Sequence, residues 1–362
     1  MDLNRRDFFR SMGQRSLLAA GLGAGIPEIS RLRANDAPAA EEGKKRMKLI
    51  VRADDVGYSE VCNIGTFKAV EKGVATSLDV MFDTPGTVDA LERLRKLPWI
   101  TIGWHNHCWG KPLLGAEKVP SLVGKDGHFK WSVREGEAYM PGAARLRQEK
   151  AKLENEINYD EAVAEFRAQM LLCVKIVGRA PDSGGGGNTR SLVGKAANQV
   201  AKEFGLKSGW ANSLPGSITI GEVTTKLPGR PADPEYRNLN IYMPSGAEGL
   251  GKYAFDPPGK GEQERYNPLD ALRKDVDGIM DKEIVQVVFH PGFVDDYVAT
   301  DGGIQFIFNR VRVLDVYYLC SQEMRDWIKQ DKVELINQRD ALNGTHEYQN
   351  HLKETGSDLC ML

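Results

Sequence analysis

Cysteine is scarce and unpatterned in this chain. Its five residues, Cys62, Cys108, Cys173, Cys320 and Cys360, never form a C-x-x-C spacing. That excludes a cysteine-built structural zinc site and a dense disulfide framework, and leaves them as small buried hydrophobes. A basic stripe is missing too. The 48 Lys and Arg against 50 Asp and Glu give a net charge of -2. Because the charges are dispersed, nucleic acid is excluded as the main partner and a neutral or small polar substrate is expected. No apolar run approaches the ~20 residues that span a bilayer, so no stable membrane span is expected. At 362 residues the chain is long for one sandwich but comfortable for one α/β barrel of ~250 residues with extensions.

The amino terminus reads as an address. Asn4-Arg-Arg-Asp-Phe-Phe-Arg10 precedes the weakly apolar Ser16-Leu-Leu-Ala-Ala-Gly-Leu-Gly-Ala-Gly-Ile26 segment. This is similar to a bacterial twin-arginine export signal, with the apolar run as its h-region. Small residues from Ala34 to Ala40 are candidates for cleavage. Residues 1–40 are therefore expected to be leader and linker, and the mature protein periplasmic or secreted.

What is present begins at Lys48-Leu-Ile-Val-Arg-Ala-Asp-Asp-Val-Gly57, a β-prone run that delivers two adjacent carboxylates to its end. Side chains alternate along a strand, but that alternation breaks where strand becomes loop, so Asp54 and Asp55 can both turn toward one site. There, one can bind a metal while the other takes a proton. A plain strand-ending turn accounts for the same residues. Ser59 to Lys72 has helical spacing, Thr76 to Phe82 strand composition, Val88 to Leu97 helical spacing, and Trp99 to Gly103 strand composition again. This βαβαβ rhythm predicts a mainly parallel sheet, open or closed into a barrel, with ligands at the carboxyl ends of its strands.

A second such end is Gly103-Trp-His-Asn-His-Cys-Trp109, where His105 and His107 share a face if the strand continues through them. Two carboxylates and two imidazoles at successive strand ends form a mixed oxygen and nitrogen set suited to a divalent cation. Ala53-Asp-Asp-x-Gly57, Asn63-x-Gly65, Gly73-x-x-Thr-Ser77, Met81 and Gly103-x-His105 with Gly110-Lys-Pro-Leu113 follow in order. Further on come Ser121-Leu-Val, Asp126-Gly-His-Phe129, Glu165-Phe-Arg-Ala-Gln169 and Val287-Val-Phe-His-Pro-Gly292. Together these residues resemble the YdjC-like carbohydrate deacetylases over 47–342, leaving 343–362 as a C-terminal tail, expected to be loosely held from Glu347.

The resemblance implies a distorted (β/α) TIM-like barrel, a single catalytic domain after the export signal. It implies a metal-dependent hydrolase that removes acetyl groups from N-acetylated sugars or oligosaccharides. Asp55 and His105 would bind the divalent ion, Mg or Zn, Asp54 would be the base, and His290 would protonate or hydrogen-bond the leaving amine. The chain departs from the family at one place. An Asp-Ser-His-x-His-x-His run is usual in mid-chain, its first His being a metal ligand, and here Pro181-Asp-Ser-Gly-Gly-Gly-Gly-Asn188 stands instead. Asp182 remains as a substrate-binding candidate, while Gly184 has no side chain to coordinate anything. By spacing, His107 is the candidate replacement for that ligand. The alternative is a barrel that has lost turnover and only grips a glycan. Trp104, Trp109 and Trp131 are candidates to stack on sugar faces, and residues 131–160 to form a lid. The oligomeric state is open, a homodimer being one option.

Overall fold

The computed structural model describes residues 46–106, 110–131, 149–184, 191–206, 217–220, 223–226, 241–242, 266–276, 278–300 and 305–362. The expectations for the leader, for His107 and Trp109, for Gly185 to Gly187 and for most of the lid lie outside the described residues. Strand β1 (Lys48–Val56) is the apolar run that carries the Asp pair. It is followed by α1 (Glu60–Glu71), β2 (Ser77–Val80), α2 (Thr87–Leu94), β3 (Thr101–Trp104), α3 (Tyr159–Val177), β4 (Ser183–Gly184) and α4 (Leu192–Glu203). After the antiparallel pair β5 (Ser217–Ile220) and β6 (Val223–Lys226) come β7 (Ile241–Tyr242), α5 (Pro268–Arg273), β8 (Ile284–Phe289), α6 (Asp296–Thr300), α7 (Gln305–Leu319), α8 (Gln322–Gln330), β9 (Glu334–Leu335), α9 (Gln338–Asn343) and α10 (Glu347–Glu354).

The sheet order is β4-β3-β2-β1-β8-β7, with β9 also paired to β1, and every one of these pairings is parallel. The result is a curled parallel sheet flanked by helices, a half-barrel, as the alternating pattern and the resemblance predict. β1 is central, and the near-complete burial of Leu49, Ile50, Val51, Ala53 and Val56 is what a parallel strand covered on both faces requires. Helix starts follow the local chemistry of the chain. Ser59, Asn158, Ser191, Asn267, Ser321 and Asn337 each accept a hydrogen bond from a first-turn amide of α1, α3, α4, α5, α8 and α9. Such caps contribute about 1 kcal/mol each.

The C-terminal segment differs from the expected loose tail. Asn337 Nδ2 donates to Trp99 O at 2.8 Å, Gln338 N to Ser77 Oγ at 3.1 Å and Arg339 N to Thr101 Oγ1 at 3.2 Å. These bonds close the amino ends of β2 and β3. Beyond them Tyr348, Leu352 and Leu359 are buried, and the His351 ring stacks on Trp99 at 3.7 Å. Apolar side chains at positions 348, 352 and 359 make one face of α10 and its exit part of the core. The opposite, carboxyl ends of the strands are left to the site.

Candidate active site

Four strands and one helix build the site. In β1 the register with β2 shifts between Ala53 and Val56, and Asp55 takes a left-handed φ of 61°. This bulge is the expected break in alternation, and it lets adjacent carboxylates face one imidazole. His105 Nε2 lies 2.9 Å from Asp55 Oδ1 and 4.0 Å from Asp54 Oδ2. The turn after the pair is fixed by Asn63, whose Oδ1 accepts from Gly57 N at 2.8 Å. His105 is held by its own backbone N–H on Val80 O at 2.9 Å.

Three residues outside the predicted set complete the cluster. Asp79, in β2, is paired with Gly103 of β3, and a Cβ on Gly103 would fall 2.0 Å from Asp79 Oδ1. Only glycine leaves room for that carboxylate. Arg52, two residues before Asp54 and so on the same face of β1, places Nε 2.5 Å from Asp54 Oδ1 and Nη2 2.7 Å from Asp54 Oδ2. The same Nη2 is 3.1 Å from Asp79 Oδ2. From α7, fully buried Arg312 donates from Nη2 to Asp55 Oδ2 at 2.6 Å. An acid inside the apolar Ser77-Leu-Asp-Val80 was the available signal for Asp79. Nothing local marks Arg312, whose partner is 257 positions away.

Charge and burial compete throughout the cluster. Burial raises the Asp54 pKa, but Arg52 and then His105 outweigh it and bring it to about 2. Burial acts on Asp55 in the same sense, and Arg312 with His105 still holds that carboxyl well below the usual range. Asp79 is raised, first by burial, with the neighbouring Asp54 adding to it against Arg52. Burial disfavours the His105 imidazolium, yet Asp54, Asp55 and Asp79 lift its pKa to about 9. Asp54 is thus a persistent anion with both oxygens on one guanidinium. A general base works best with a pKa near the working pH, so this conformation suits Asp54 to holding charge rather than to the expected proton transfer.

His290 ends β8 at the carboxyl side. Its N–H donates to Asp315 Oδ2 at 2.7 Å, and Asp315 Oδ1 accepts from Tyr266 Oη at 2.5 Å. Burial lowers the His290 pKa, against the opposing pull of Asp55 and Asp54, so the ring favours its neutral form. The following turn is anchored by Thr66 Oγ1, which donates to Pro291 O at 2.5 Å.

Three predicted substrate contacts, Trp104, Trp131 and Asp182, are corrected. Trp104 is 2% exposed, donates from Nε1 to Gln169 Oε1 at 3.0 Å and meets Phe166 edge-on at 5.4 Å. It packs in the core, as Trp131 does against Phe129, and neither ring offers a face to a sugar. Asp182 accepts from Ile102 N at 2.9 Å and from Arg179 Nη1 at 2.5 Å, so its carboxylate knits β3 to β4 rather than facing substrate. The loop after β3 is also anchored by acids. Asp83 Oδ2 accepts from Gly110 N at 2.6 Å, and fully buried Glu165 accepts from Leu113 N and Leu114 N at 2.9 and 3.0 Å.

Asp54, Asp79 and His105 offer one ligand atom each, all within 4.8 Å of one another, and are a possible three-residue metal site. Gly184, at the position of the family's His ligand, has φ 118°, and a Cβ there would lie 2.5 Å from Trp104 O. The backbone itself has closed over that position. A model of the family described as YdjC-like protein matches residues 48–330. Carbohydrate deacetylase 2 of Listeria innocua is 24% identical over 299 residues, covering 81% of this chain and 98% of the relative. A carbohydrate deacetylase of Enterococcus faecalis is 25% identical over 299 residues, covering 80% and 96%. A crystal structure from Enterococcus faecalis V583, named for cellobiose-phosphate cleavage, superposes with a TM-score of 0.53 at 21% identity, over 82% of this chain and 99% of that one. With a family match that runs from β1 through α8, the chain belongs to the YdjC-like family.

Proposed function

We propose that the protein is a carbohydrate deacetylase, a hydrolase that removes acetyl groups from an N-acetylated sugar or oligosaccharide with the help of a divalent cation. The observation that carries this reading is the group of Asp54, Asp79 and His105 at the carboxyl ends of three adjacent strands. Support also comes from the names of the relatives, which are carbohydrate deacetylases aligned over four fifths of the chain. Two carboxylates and an imidazole are donor types that fit Mg or Zn. When bound, such an ion lowers the pKa of a water and polarises an amide carbonyl.

The chain's own residues supply the rest. Asp55, fixed by Arg312, stays ionised and orients His105. Hydrolysis adds the water oxygen to the acetyl carbon, breaks the C–N bond, and sends the water proton to the departing nitrogen. His290, neutral and beside the carboxylates, is the group suited to accept that proton and return it. The test is acetate release from N-acetylglucosamine oligomers by the purified chain, after chelation and after metal is restored. Activity should require the metal, and His290→Ala should lower turnover ~100-fold to 10,000-fold. Metal-independent release, or an unchanged His290→Ala enzyme, would exclude this mechanism.

A second reading, a barrel that binds a glycan with little turnover, is favoured by the closed position at Gly184 and by the occupation of Asp54 by Arg52. Glycan binding without acetate release under every metal condition would select it.

We also propose export by the twin-arginine route, on the Arg5-Arg6 pair and the apolar run behind it. Among the described residues no helix is long and apolar enough to cross a membrane. Changing Arg5 and Arg6 to Lys should trap precursor in the cytoplasm. Undiminished periplasmic protein in that variant would count against the route.

A further inference from the structure

Arg52 does more than neighbour the acids. Its guanidinium contacts both oxygens of Asp54 and one oxygen of Asp79, two of the three grouped donors. A planar fork of this kind matches a carboxylate bidentately and keeps its charge at any working pH. Three carboxylates, Asp54, Asp55 and Asp79, face two guanidiniums, Arg52 and Arg312, so most of the negative charge that would attract a dication is already balanced. Asp79 Oδ1 is the buried carboxylate oxygen of this trio without a hydrogen-bond partner, and so the acceptor still open. A divalent ion that takes Asp54 competes with Arg52, which holds both Asp54 oxygens, whereas Asp79 Oδ1 stays open to it. It then shares the space with an arginine charge that cannot be shed. The two arginines differ in freedom: the Arg312 side chain is wholly buried, whereas that of Arg52 is 20% exposed.

We propose that Arg52 is a resident counter-cation of the carboxylate pair, which neutralises Asp54 and Asp79 in the metal-free protein and competes with the divalent ion for them. Metal affinity is then set by how readily Arg52 leaves, and the site is loaded only where the ion is abundant enough to displace it. This rests on the reading that Asp54, Asp79 and His105 accept the ion.

The experiment is calorimetric titration of the chelator-stripped full chain with Zn²⁺ alone, for wild type, Arg52→Gln, Arg52→Lys and His105→Ala. Like charges a few ångströms apart in a partly buried site repel strongly enough to shift a constant by an order of magnitude or more. Arg52→Gln should therefore bind Zn²⁺ at least ~10-fold more tightly. Arg52→Lys, which keeps the charge without the fork, should fall between it and wild type, and it remains informative if Arg52→Gln fails to fold. A second readout is thermal unfolding: without metal Arg52→Gln should melt below wild type, and added Zn²⁺ should raise its midpoint more than it raises that of wild type. Equal or weaker binding by both Arg52 variants, with His105→Ala still abolishing it, overturns the proposal and leaves the metal reading intact. Binding unaffected by His105→Ala places the ion elsewhere and overturns both.

Discussion

Asp54 carries two possible jobs that substitution separates. As a donor in the Asp54, Asp79 and His105 group it helps hold a cation, whereas as a base it would leave metal binding largely alone. Its bidentate contact with Arg52 and its pKa of about 2 favour the first. Asp54→Asn should then lower acetate release by ~100-fold or more and reduce bound metal in parallel, as read by elemental analysis of the purified variant. Full metal content with lost turnover would restore the base assignment. Gly103 shows the same economy of space, since the Asp79 carboxylate fills the volume where a Cβ would stand. These residue-level facts were unequally legible in the chain. The Asp pair and His105 stand at strand ends, where composition changes sharply and local pattern is informative. Arg52 looks like any half-solvated strand residue until its neighbour across the sheet is known, and Asp79 is one acid in a four-residue strand.

At the scale of elements, the alternation from β1 to β3 was readable because strand and helix periods differ and the segments are short and apolar. Position 184 was harder. Sequence shows a missing His but says nothing of the backbone, and the short strand β4 has glycine in a left-handed conformation pressed against Trp104. Gly184→His, which by motif alone repairs the site, should instead destabilise the fold by about 1–3 kcal/mol, because a β-carbon must enter space held by main chain. The measurement is the denaturant midpoint of the variant beside its Zn²⁺ affinity. A stable Gly184→His protein with a large gain in affinity would show that β4 can reopen. The docked C-terminal helix was also missed, since the Trp99 ring it stacks on lies 252 positions before His351 and the match of the two surfaces depends on the fold.

For the whole molecule, the buried ionisable groups set an unusual dependence of stability on pH. Asp83 and Asp315 have their pKa values raised by burial to about 6 and about 7. A raised carboxyl keeps its proton longer in the folded state, so its contribution is greatest below about pH 4 and is lost as pH rises through the folded value. His105, raised to about 9, contributes fully below about pH 6.5 and loses that contribution as pH climbs to 9. Asp54, lowered to about 2, acts in the other sense: its contribution is present above about pH 4 and disappears on acidification through 2. The three trends place the stability maximum of the chelator-treated protein near pH 4, with a long decline toward alkaline pH. Of that decline, the His105 part between pH 6.5 and 9 is roughly 3 kcal/mol, because holding a proton across each pH unit of that interval is worth about 1.36 kcal/mol. Urea unfolding of metal-free protein from pH 3 to 10 checks this. His105→Gln should flatten the arm above pH 6.5 and Asp315→Asn the arm between 4 and 7; wild-type stability that rises from pH 5 to 9 would contradict both assignments.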